Sequence, residues 1–145
     1  MRCAADVSGV IVAALEAQWR ARTKEAEELP DPKDVDALYE EARRAAGVGS
    51  NSCAVLACRK LLMHLAVDKD AEAGKPFAFY VDYLAEKGWV PPNGKAWVNK
   101  IKDGGNEENH EIRIADDKTA EDLLFFVQTL LTFMYEVPAR LDKSD

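Results

Sequence analysis

Between Leu123 and Tyr135 the chain runs thirteen residues without a charge, and ten of them, Leu123 to Val127, Leu130, Leu131 and Phe133 to Tyr135, are apolar. Wound as a helix, those side chains fall on every side of the axis, and a helix apolar all round must be covered all round. The run is shorter than the roughly 20 residues needed to cross a bilayer, so the cover has to be protein. It comes either from other helices of the same chain or from a second copy. The excess of apolar surface predicts a homodimer in which Phe125, Phe126, Phe133 and Met134 line the interface, while complete internal burial satisfies the same pattern.

The rest of the chain supplies helices. Val7, Val10, Ile11, Ala14, Leu15 and Trp19 recur at spacings of three and four, drawing an apolar stripe along a first helix that runs to about Glu28 before Pro30. Asp31-Pro32-Lys33-Asp34 reads as a new start, with a capping carboxylate and a proline where its missing N–H costs nothing. Val35, Leu38, Tyr39, Ala42 and Ala46 then share one face up to Gly47. Ser50-Asn51-Ser52 restarts the chain, and Ala54, Val55, Cys58, Leu61, Leu62 and Leu65 mark a third helix to about Val67. After a polar loop from Asp68 to Lys75, Phe77, Tyr80, Val81 and Leu84 indicate a shorter helix stopped by Gly88. Pro91-Pro92-Asn93-Gly94 is a turn, and Trp97, Val98 and Ile101 begin a short helix that should kink or break at Gly104-Gly105. Thr119-Ala120-Glu121-Asp122 resembles a capping box and opens the last helix, which is expected to end near Glu136, before Pro138.

Charge and cysteine content narrow the function classes. With 26 acidic against 19 basic residues and a net charge of -7, the chain is not a basic nucleic-acid platform, because such affinity comes from Lys and Arg replacing counterions on phosphates; RNA is disfavoured as a partner, and a protein partner suits the balance better. Val10 to Leu15 is too short and too poorly flanked for a secretory leader, so the expected location is cytoplasmic, away from the membrane. Cys3, Cys53 and Cys58 form no paired framework and read as reduced thiols, Cys53 and Cys58 simply packing. No Cys or His cluster has zinc spacing and no glycine-rich phosphate loop follows a strand, so no metal and no cofactor is expected.

One stretch could carry chemistry. Lys102, Asn106 and His110 stand at steps of four, which places a cation, an amide and an imidazole along one helical face. A histidine with an ordinary pKa near 6.5 can trade protons at neutral pH, and a neighbouring cation and amide could hold a phosphodiester. That is the minimum equipment for cutting RNA through its own 2′-hydroxyl without a metal. Opposing this, four acids (Asp103, Glu107, Glu108 and Glu111) stand against two bases from Lys102 to Arg113, and carboxylates beside His110 favour its protonated form while repelling a phosphate backbone. His64, on the third helix, reads as a boundary residue, and Arg43 and Arg44 as ion-pair partners of Glu40 and Glu41.

Several segments taken together resemble one family. Tyr39-Glu40-Glu41-Ala42-Arg43-Arg44-Ala45, the run Ala54 to Leu62, Leu84-Ala85-Glu86-Lys87-Gly88, and Ile101 to Asn106 with His110 are similar to the DUF4145-like branch of the HEPN superfamily. Members of that branch occur as domains attached to restriction endonucleases and as stand-alone prokaryotic and phage proteins. The likeness runs in order from about Val35 to Pro138, and the Gly105-Asn106-x-x-x-His110 element is its most specific part. It implies an all-α bundle of five to six helices, frequent homodimerisation and, in active members, metal-independent RNA cleavage at a composite site built from an arginine and a histidine of each subunit. Carried over, the histidine is His110, the intervening polar residue Asn106, and the arginine position Lys102. Lysine keeps the charge but lacks the planar fork that grips a phosphate with two parallel hydrogen bonds, and Met63 stands where a glutamate is expected four residues after Arg59.

The expectation is therefore a single HEPN-like domain over residues 1–145, with an N-terminal helix (1–30), a family-like core (31–138) and a polar tail (139–145). Its function would be that of a dimeric interaction or regulatory module in phage or prokaryotic defence, with a degenerate ribonuclease centre. Two alternatives remain: an active ribonuclease using His110 and Lys102, with Asn106 orienting the phosphate, and a purely structural homodimer.

Overall fold

The computed structural model describes residues 32–105 and 112–143; the expected first helix lies outside the described residues. Among the described residues six α-helices and one π-helical turn follow one another: α1 (Pro32–Gly47), α2 (Asn51–Asp68), α3 (Phe77–Glu86), α4 (Lys95–Gly105), α5 (Asp117–Leu131), the π turn Thr132–Glu136, and α6 (Val137–Asp142). No strand occurs among the described residues, and the protein is an all-α bundle.

α2 takes the centre. It packs against α1, α3, α4 and α5, because Ala54, Val55, Cys58, Leu61, Leu62, Leu65 and Ala66 spread its buried surface over a wide arc. Val35, Tyr39 and Ala42 bring one stripe of α1 onto it, and Phe77, Tyr80, Val81 and Leu84 one stripe of α3. Burying each of the larger of these side chains contributes on the order of 1.5–3 kcal/mol, and these matched stripes hold the bundle together. Gly88 closes α3 with φ at +84°, a left-handed conformation in which a side chain would be strained.

The C-terminal third departs from expectation in three places. α5 begins at Asp117, with Asp116 as its cap: the Asp116 carboxylate accepts the Thr119 N–H at 2.8 Å. Thr119 therefore lies inside the first turn, and Asp122 pairs instead with Lys100 and Lys118. Pro138 does not stop the helical path, because the Val137 N–H reaches back five residues to the Thr132 carbonyl and leaves the proline in the first turn of α6, where its missing N–H is tolerated. The apolar run is not wrapped on all sides either: on α5 Phe126 is buried and Phe125 62% exposed, and in the π turn Met134 is buried and Phe133 49% exposed. Two of the four residues expected at a dimer interface, Phe126 and Met134, are thus covered by the chain itself. No helix among the described residues is long and apolar enough to cross a membrane.

Candidate functional site

Lys102 sits in the last turn of α4, and three faces of that helix determine where it points. Val98 and Ile101 are buried in the core. On a second side Trp97 meets Phe126 edge to face, ring centroids 4.8 Å apart, and Phe125 at 5.5 Å, while Lys100 reaches Asp122 on α5 at 2.8 Å. The third side faces α3, and from it the Lys102 ammonium donates to both carboxylate oxygens of Asp82, each at 2.9 Å. A cation expected to grip a phosphate thus holds an internal carboxylate from twenty residues earlier in the chain.

The pair stands at the edge of a cleft of about 360 Å³ between α3 and α4. Its α3 wall carries Asp82, Ala85 and Glu86; its α4 wall carries Lys95, Val98 and Asn99; Val90, Pro91 and Pro92 close it. The closing turn is tight. Gly94 N–H donates to the Pro91 carbonyl at 2.8 Å, and a Cβ on Gly94 would come within 2.9 Å of the Val90 side chain, so glycine is needed there for close approach.

Asn106 and His110 lie outside the described residues, as do Glu107, Glu108 and Glu111. α4 takes in both Gly104 and Gly105 as its last residues, so the glycine pair does not break it earlier. Beyond this stretch the chain is fastened back to the start of α2: the Ala115 N–H donates to Ser52 Oγ at 3.0 Å, and Asn51 Nδ2 to Asp117 Oδ1 at 2.7 Å. Ile112 and Ile114 are exposed there.

The remaining candidates have structural partners. Arg43 donates to both oxygens of Glu40 at 2.7 and 2.9 Å. The Arg59 guanidinium lies over the Phe77 ring at 5.3 Å, and Met63, four residues on, is half-buried against the core. His64 is half-buried, and burial pushes its pKa below the ordinary value; Asp68 pulls it up and Lys60 down. Cys58 packs as expected, its thiol pushed up to about 12 by burial, but Cys53 is exposed. No group of three or more His, Cys, Asp or Glu side chains among the described residues could hold a metal ion.

Sequence reasoning missed Asp82. It is the one acid amid the apolar residues of Phe77–Leu84, an oddity that signals a polar partner but cannot name one.

Compared with known proteins, the chain matches the family model described as "Domain of unknown function (DUF4145)" over residues 40–144. No curated protein and no solved structure matches it.

Proposed function

The chain belongs to the DUF4145 family, and from that premise we propose that it is a HEPN-like helical module, working as a homodimer, whose ribonuclease centre is degenerate and whose main role is interaction or regulation. The observation that carries this reading is the contact between Lys102 and Asp82. Both carboxylate oxygens accept from the ammonium at 2.9 Å, so the cation expected to stabilise a phosphorane is engaged by a carboxylate of its own chain and must first be released from it. Lysine at this position also lacks the planar two-pronged donor set of arginine, and the acids Glu107, Glu108 and Glu111 stand beside His110 in the sequence. Dimerisation is supported by exposed Phe125 and Phe133 on α5 and the π turn, and the setting in prokaryotic or phage defence by the resemblance alone.

The test is incubation of the purified protein with structured and unstructured RNA in EDTA, beside His110→Ala. Both proteins should leave the RNA intact. Cleavage by the wild type that disappears in His110→Ala would overturn this reading in favour of a metal-independent ribonuclease that needs His110 to move the proton. Light scattering at micromolar concentration should return a dimer mass; a monomer mass contradicts the homodimer.

A further inference from the structure

The cleft between α3 and α4 has walls of opposite chemistry. Along α4 the side chains Lys95, Asn99 and Lys102 follow at steps of four and three, which sets them on one face; along α3 the carboxylates Asp82 and Glu86 follow at a step of four. Among the described residues the side-chain ion pair that joins the two walls is Lys102–Asp82. Lys95, Asn99 and Glu86 line the cleft and make no side-chain hydrogen bond or ion pair with another described residue. The α4 wall therefore offers an ammonium group and an amide to an incoming anion, and a second ammonium, Lys102, stands at the cleft's edge, held there by Asp82 of the opposite wall.

The Lys102 side chain is 28% and the Asp82 side chain 47% exposed. Ion pairs at such accessibility are weak, because water screens them and ordering two side chains costs entropy. An oxyanion brought to the cleft therefore competes with Asp82 on nearly equal terms. Phosphate suits the site: its tetrahedral oxygens can accept from ammonium and amide groups at once, and its charge exceeds that of a single carboxylate.

We propose that Lys95 and Asn99 of the α4 wall, with Lys102 at the cleft's edge, form a phosphate-group binding site and that Asp82 is its built-in competitor, an autoinhibitory carboxylate that keeps Lys102 occupied. The inference rests on the reading that Lys102 stands at the phosphate-handling position, and it goes further by naming the residue that silences it. Glu86, on the same α3 wall, adds repulsion without capturing a cation.

The experiment is titration of inorganic pyrophosphate into the full chain, followed by amide chemical shifts, for wild type, Asp82→Asn, Asp82→Asn/Lys102→Ala, and Glu72→Gln as a charge control. Glu72 pairs with Lys75 at 3.3 Å, away from the cleft residues. Asp82→Asn should bind about two- to fivefold more tightly than wild type, the span that releasing a surface ion pair allows, with shifts at Ala85, Val98 and Asn99. The gain should vanish in the double variant and be absent in Glu72→Gln. Equal affinity of wild type and Asp82→Asn would overturn the proposal, as would a gain that survives Lys102→Ala or is matched by Glu72→Gln. Circular dichroism on each variant separates lost folding from lost binding. Phosphate binding by Asp82→Asn without RNA cleavage leaves the degenerate-centre reading standing; no binding by any variant sinks the competitor and leaves that reading untouched.

Discussion

The Tyr135 hydroxyl donates to Asp68 Oδ2 at 2.8 Å, joining the π turn to the end of α2 across 67 residues of chain. The turn buries three consecutive residues, Met134, Tyr135 and Glu136, and the Glu136 carboxylate takes the Arg140 guanidinium at 2.7 Å. The adjoining Lys69 places its ammonium 5.2 Å from the ring centroids of both Trp89 and Tyr135. One end of the bundle is thus closed by polar contacts laid over aromatic surface.

Removing the phenol hydroxyl takes a donor from a charged acceptor, and such hydrogen bonds contribute about 1.5–3 kcal/mol before solvent exposure reduces them. Tyr135→Phe should lower stability by about 1–2 kcal/mol in urea denaturation, with an unchanged helical spectrum. No loss would mean that the π turn is held by packing alone.

Adjacent phenylalanines on α5 should behave oppositely. Phe126 is 1% exposed and meets Trp97 edge to face, so Phe126→Ala should cost about 3–5 kcal/mol by leaving a cavity. Phe125→Ala should cost about 1 kcal/mol, most of it the lost ring contact with Trp97. In light scattering, Phe125→Ser combined with Phe133→Ser should reduce the fraction of the proposed dimer without unfolding the protein.

Stability should fall on mild acidification through His64. Its folded pKa is lowered, chiefly by burial, with Asp68 opposing and Lys60 assisting. The unfolded chain therefore takes up a proton first as the pH drops through about 6.5, and protonation favours unfolding; above that pH both states are neutral and the effect disappears. Denaturation midpoints from pH 7.5 to 5 should decline more steeply for wild type than for His64→Gln. Parallel curves would remove His64 from the account.

Thiol reactivity should divide the described cysteines. Cys58 is fully buried with its thiol raised to about 12, and thiolate is the reactive form; Cys53 is exposed. Iodoacetamide followed by peptide mapping should label Cys53 in the native protein and Cys58 only after denaturation. Native labelling of Cys58 would show that the α1–α2 contact opens.

Much of the fold was legible because helical periodicity is a local property. The stripes Val35-Tyr39-Ala42 and Leu61-Leu62-Leu65 lie where spacing placed them, and both are buried. The C-terminal third was read less well. Asp116 rather than Thr119 caps α5, a choice between capping residues three apart, made where the segment before α5 is fastened to the start of α2 through Ser52 and Asn51. Pro138 reads as a stop from local rules, yet a single widened turn accommodates it.

The candidate site divides the same way. The amino-acid order was enough to single out Lys102 with Asn106 and His110 as candidates, and to place a lysine where the resemblance leads one to expect an arginine. It could not show that Lys102 is spoken for. That depended on the rotation of α4, set by Val98, Ile101 and Trp97 against the core, which turns residue 102 toward α3 and brings Asp82 within reach. Helix formation is decided by neighbours three and four residues apart. Which side chains meet across helices is decided by the packing of whole apolar faces, and for Lys102 only the tertiary structure could decide it.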